Sequence, residues 1–248
     1  MYKRSLISII LLLLLTLGCT KTTSIKIESQ APQEQIIKDI RSSTVALVLR
    51  SDDEIHAYCT AVWVDKNVLL TANHCVEGVL ESWHEDHEEE PLPKAKTFHF
   101  YYVTEDEVTE VSKEPTATHL ASFIKADKKH DLALLKAEGK LIPPHTVAKL
   151  ANESPLVGEH VFVMGHPRGL YWSHTECVVS AYRNDVPTEE LELHGPFVQL
   201  SGPVFFGNSG GGAFNRNGEL IGIASFMYRA PQTTMFVSLD TLKTFIKG

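Results

Sequence analysis

Short apolar runs broken by turn residues organise the chain from Thr44 onward. The first half carries "VALVL", "AYCTAVWV", "NVLLTA", "TFHFYYV", "HLASFIKA" and "DLALLK". After a polar break at "EGKLIPPHT" come "HVFVMG", "TECVVSAYR", "FVQLS", "GELIGIASFMY" and "TMFVSL". Each run has strand length. Many short strands at this spacing predict an all-β sandwich or barrel. Two segments have helical periodicity instead: "EQIIKDIRSST" at the start and "LDTLKTFIKG" at the end. The chain divides into two similar halves joined near Gly139 to Thr146, with no short internal repeat.

The N-terminus has a different pattern. Lys3 and Arg4 precede an apolar run from Leu6 to Leu17, which is short for a membrane span. This is the layout of an export signal. Gly18 followed by Cys19 resembles a bacterial lipoprotein signal, although Thr16 stands where leucine is more usual. That resemblance implies cleavage after residue 18, lipidation of Cys19 and a membrane-anchored protein. With Thr20 after the cysteine, the outer membrane is the default in a host that has one. The alternatives are an ordinary secretory signal or an uncleaved anchor. Residues 19–35 are polar and rich in Thr and Ser, as suits a flexible tether.

Composition adds bounds. A chain of 248 residues has room for one large domain or two small ones. The formal net charge of -8, or -10 once Lys3 and Arg4 are removed, argues against a nucleic-acid partner, which needs a basic face.

Candidate chemistry lies at the strand ends. "LLTANHCV" puts His74 after an apolar strand, "HDLALLK" puts Asp131 at the start of another, and "GNSGGG" supplies Ser209. A serine hydroxyl becomes a nucleophile when a base takes its proton, and a buried carboxylate orients a histidine for that task. The order His, Asp, Ser is one of the known orders for this geometry. The glycines around Ser209 allow a tight turn in which the N–H groups of Gly207 and Ser209 converge as an oxyanion hole.

"TANHC", "DLALL" and "GNSGG" together resemble the trypsin-like, chymotrypsin-fold serine proteases over about residues 36–248. "GEHVFVMGHPRGL" and "FVSLDTLKTFI" resemble the bacterial HtrA type. The resemblance implies two six-stranded antiparallel β-barrels with the active site between them. The first would span about residues 36–138, the second about 147–238, followed by a helix over 239–247. It further implies that Ser225 hydrogen-bonds near Asp131 and that the Ser225–Met227 backbone pairs with an extended polypeptide substrate. Cys59 and Cys75 would form the disulfide that pins the histidine loop, leaving Cys177 as a core thiol. HtrA proteases carry PDZ domains, and none is expected before the end at Gly248.

The pocket for the side chain preceding the scissile bond would be formed within Leu200–Phe206. Pro203 stands where trypsins carry Asp, and Ala224 where glutamyl endopeptidases carry His. The lining candidates Pro203, Val204, Phe205, Phe226 and Met227 are uncharged, which predicts cleavage after small or medium apolar residues. Asn208 precedes the serine, so activation by an ion pair to a freed N-terminus is not expected. The acidic insertion "SWHEDHEEEPLPKAK", Ser82 to Lys96, reads as a solvated loop; His84 and His87 are three apart and make no HExxH zinc motif. No metal or cofactor is expected. The competing reading is a catalytically silent barrel lipoprotein that binds a partner.

Overall fold

The computed structural model describes residues 33–50, 55–86, 91, 93–108, 118–139, 146–184, 186, 193–229 and 232–248. The expected export signal, Cys19 and nearly all of the expected tether lie outside these residues. Helix α1, Gln33–Ser42, opens the described chain.

Six strands follow: β1 (Thr44–Arg50), β2 (Ile55–Asp65), β3 (Val68–Thr71), β4 (His99–Val103), β5 (His119–Asp127) and β6 (Leu132–Ala137). They close into a barrel in the order β1-β2-β3-β6-β5-β4, with β4 pairing back on β1. A second six come from β7 (His160–Gly165), β8 (Ser173–Arg183), β9 (Phe197–Ser201), β10 (Gly212–Phe214), β11 (Leu220–Met227) and β12 (Thr233–Ser238). Their closed order, β10-β11-β12-β9-β8-β7, is the first barrel's order read in the opposite sense. All strand pairs are antiparallel, so the fold is the expected double barrel.

Alternation of side chains explains why the strands read as continuous apolar runs. Val45, Leu47, Ala61, Trp63, Leu69, Phe100, Ala133 and Leu135 fill the first barrel. Their neighbours Ala46, Val48, Val62, Leu70 and Leu134 join Phe162, Met164, Phe197, Phe214 and Ile223 in a shared layer. Val161, Val163, Val179, Leu200 and Phe236 fill the second barrel. Strands buried on both faces lose the clean apolar–polar alternation of a half-exposed sheet. Helix α3, Leu239–Lys247, buries Leu239 and Leu242 and reaches the first barrel, where Lys125 Nζ donates to the Phe245 carbonyl at 2.6 Å.

The acidic insertion departs from expectation. Helix α2 runs from Asn73 to Asp86, so Ser82–Asp86 is helical. Trp83 is partly buried and meets Phe98 edge-on at 6.4 Å. The segment therefore packs through this ring as well as carrying its acidic charge.

Candidate active site

Strand β3 ends at Thr71, and α2 starts at Asn73, so His74 occupies the first turn of a helix leaving the barrel. Cys75 beside it is bonded to Cys59 on β2, as expected, and this covalent tie fixes the first turn of α2 against the barrel. Cys177 is a buried free thiol, and burial pushes its pKa up to about 12.

Asp131 ends the turn between β5 and β6 with a φ of 54°. Asp127 braces this turn: its carboxylate accepts the His130 N–H at 3.1 Å and contacts His130 Nδ1 at 2.6 Å. Asp131 is only 3% exposed, yet its oxygens are fully engaged. Oδ1 accepts the His74 N–H at 2.9 Å, Oδ2 lies 2.8 Å from His74 Nδ1, and the Ser225 hydroxyl also donates to Oδ2. A carboxylate at Nδ1 selects the tautomer that carries its proton there and leaves Nε2 free to accept one. Ser225 reaches Asp131 because the β11–β12 register shifts between Ala224 and Phe226. A bulge of this kind re-aims a side chain beside a site.

Ser209 lies in the loop between β9 and β10. Gly207 has a φ of 97°, and a Cβ there would sit 2.3 Å from the His166 carbonyl oxygen. A Cβ on Gly210, with φ 78°, would come within 2.1 Å of Thr71 Oγ1. Both positions therefore require glycine. The Phe206 carbonyl accepts the Arg168 N–H at 2.9 Å, and the Gly207 carbonyl accepts the Thr60 hydroxyl at 2.7 Å. Among the described residues, no partner is found for the N–H of Gly207 or of Ser209.

His166 buttresses this loop. It is fully buried, and its Nδ1 accepts the Trp172 N–H at 3.0 Å. Nε2 makes no hydrogen bond of good geometry, and the Val45 backbone is the group it faces. Burial, reinforced by the nearby Arg41 charge, pulls the pKa down to about 3, against the opposing effect of Val45. The ring is therefore neutral at pH 7.

His74, Asp131 and Ser209 line one cleft of about 980 Å³, together with Gly207, Val204, Phe205, Ser225, Phe226 and Met227. Pro203 is the exception: it is exposed and outside the lining, so its assignment to the pocket is corrected. The chain turns between Gly202 and Val204 so that Val204 faces inward instead. Sequence reasoning missed Thr234, which lines the cleft from β12 opposite Met227. Pairing "TTMFVS" against "IASFM" would have exposed it. Lys128, Lys129 and His194 also line the cleft, and their motifs carry no comparable signal. Cys59, His74 and Cys75 lie close enough together to suggest a metal site, but the two sulfurs are bonded to each other and are not available as thiolate ligands.

Comparison with known proteins agrees with this architecture. A probable periplasmic serine endoprotease, DegP-like, from Ectopseudomonas mendocina (strain ymp) is 39% identical over 108 residues, covering 44% of this chain and 22% of that protein. The protein of the same description from Hahella chejuensis (strain KCTC 2396) is 40% identical over 119 residues, covering 48% of this chain and 24% of its own length. This chain thus matches about a quarter of the length of these relatives. Among solved structures, the serine endoprotease from Yersinia pestis superposes with a TM-score of 0.62 at 18% identity, covering 88% of this chain and 66% of that one. An HtrA-type protease, AlgW, solved with a tripeptide superposes with a TM-score of 0.65 at 16% identity, covering 88% and 63%. At such identities the superpositions speak for the fold alone. The trypsin-like peptidase domain profile matches residues 59–223 continuously, from the Cys59 strand through the glycine loop into β11, and the chain belongs to that family.

Proposed function

We propose that this chain is a serine endopeptidase in which Ser209 is the nucleophile, His74 the general base and acid, and Asp131 the group that orients His74. The observation that carries the reading is the fully engaged Asp131 carboxylate, which holds His74 at two atoms in the cleft that also contains Ser209. Ser209 Oγ attacks the scissile carbonyl carbon as its proton passes to His74 Nε2. The N–H groups of Gly207 and Ser209 receive the oxyanion. His74 then protonates the departing amine, and water repeats the sequence on the acyl-enzyme.

The substrate is a polypeptide bound by strand addition. Strand β10 has only three residues, so β11 beyond Ala224 has no strand neighbour on that side among the described residues. An extended chain can pair with the Ser225–Met227 edge there. Val204, Phe205, Phe226 and Met227 give the adjoining pocket its apolar surface, which suits small or medium apolar side chains.

The described relatives are periplasmic proteins by their descriptions, and the N-terminal segment here reads as an export signal. Export to the cell envelope with a lipid anchor on Cys19 follows as part of the proposal. A phosphonofluoridate probe tests the chemistry. It should label wild type at Ser209 and leave Ser209→Ala, which also fails to cleave a peptide library, unlabelled. Cleavage by Ser209→Ala at the wild-type rate would overturn the assignment. A correctly folded wild type that neither labels nor cleaves would instead support the silent binding protein.

A further inference from the structure

We infer that Thr60, on β2 of the first barrel, is a positioning residue for the oxyanion hole of the second; the inference rests on the serine-protease reading above. Each peptide plane carries a C=O and an N–H pointing in opposite directions. The two proposed oxyanion donors therefore belong to the planes that begin with the Phe206 and Asn208 carbonyls. The Phe206 carbonyl is held by the Arg168 N–H at 2.9 Å, and the Asn208 carbonyl by the Gly211 N–H at 2.8 Å. Between them lies the Gly207–Asn208 plane. Its rotation changes the angle between the donors, and Gly207 has no Cβ to resist it.

Thr60 controls that middle plane. Its hydroxyl donates to the Gly207 carbonyl at 2.7 Å across 147 residues of sequence. The other end of the plane, the Asn208 N–H, reaches only the adjacent Phe205 carbonyl, at 3.1 Å, within its own turn. Thr60 is thus the contact that refers this plane to a fixed frame outside the loop. The frame is rigid: Thr60 is fully buried, its N–H donates to the Ser209 carbonyl at 2.8 Å, and its carbonyl accepts the Thr71 hydroxyl at 2.7 Å. Neighbouring Cys59 is tied to α2, beside His74. One short stretch of β2 therefore locates the base, the nucleophile's backbone and the hole together.

The test compares Thr60→Val, which keeps the shape and removes the hydroxyl, with Thr60→Ser, which keeps the hydroxyl. Loss of an oxyanion donor costs about 10²–10³ in kcat, and a displaced donor costs part of that. Thr60→Val should lower kcat by about tenfold or more, with KM within about twofold of wild type. Binding of a peptide aldehyde, whose adduct oxygen occupies the hole, should weaken in step with kcat. Binding of the matching peptide alcohol, which forms no adduct, should not change. Thr60→Ser should restore both kcat and aldehyde binding. An unchanged kcat, equal weakening of aldehyde and alcohol, or no rescue by serine would overturn the proposal. If Thr60→Val does not fold, the same readouts are made on Thr60→Ala; failure of both to fold assigns the hydroxyl to barrel docking and also overturns it. A wild type inert toward peptides and phosphonofluoridate would instead sink the protease reading.

Discussion

Acid should destabilise this fold through one residue that lies outside the proposed triad. His166 has its pKa pulled from the ordinary 6.5 to about 3 by burial. The folded state therefore keeps the ring neutral while the unfolded chain takes up a proton below about 6.5. Stability from this group is complete above that value and is lost as pH falls toward about 3. Linkage gives a loss of roughly 3 kcal/mol on going from about pH 7.5 to about pH 4.5, set by a limiting slope of about 1.4 kcal/mol per pH unit. For a domain stable by about 5–15 kcal/mol that is a large fraction. The assay is urea unfolding at a series of pH values for wild type and His166→Asn, whose Oδ1 can still accept the Trp172 N–H. All other titrating groups are common to both proteins, so the difference between the two curves isolates His166. Wild type should lose stability more steeply between about pH 6.5 and pH 4, by about the amount calculated. Parallel curves would refute the reasoning, because a ring that admits water or a proton in the folded state carries no such linkage.

Three further outcomes can be checked. Reducing the Cys59–Cys75 bond should cost about 3 kcal/mol in the chain-entropy model for a loop of this size, read as a shift in the urea midpoint; an unchanged midpoint after verified reduction would count against it. A peptide-library profile should be dominated by Val, Ala or Leu before the scissile bond, and a profile dominated by Lys, Arg or Glu would reject the apolar pocket. Metabolic labelling with a palmitate analogue should mark wild type and not Cys19→Ser, which should leave the membrane fraction or retain its signal; equal labelling would rule out Cys19 as the lipid site.

Most strands were legible as apolar runs, and eleven of the twelve strands coincide with such runs. The missing one is β10, Gly212–Phe214, which begins inside the glycine loop and has too few residues to show a period. The length of helix α2 was hidden because its second half is acidic; it packs on the first barrel through Val76, Val79 and Leu80, and Trp83 then meets Phe98 beyond the insertion. The candidate site was legible where its chemistry is local: His74, Asp131 and Ser209 each stand in a short motif. Residues that act through distant partners gave no such signal. Thr60 reads as one polar residue in an apolar strand, and its partner is 147 positions away. Pro203 was misplaced for a related reason, since counting back from Ser209 ignores a turn that only the fold reveals.

The division of the proposed triad between barrels has a consequence for synthesis. A ribosome releases the first barrel, with His74 and Asp131, well before Ser209 has been made. Ser225, which completes the carboxylate's partners, comes later still, on β11. On the proposed mechanism, the nascent chain has no cutting capacity while half of it is still unfolded and vulnerable to its own kind. The layer built from Ala46, Val48 and Leu70 stays uncovered until Phe162, Phe214 and Ile223 arrive to close it. On that mechanism, maturation of the site and completion of the fold are a single event.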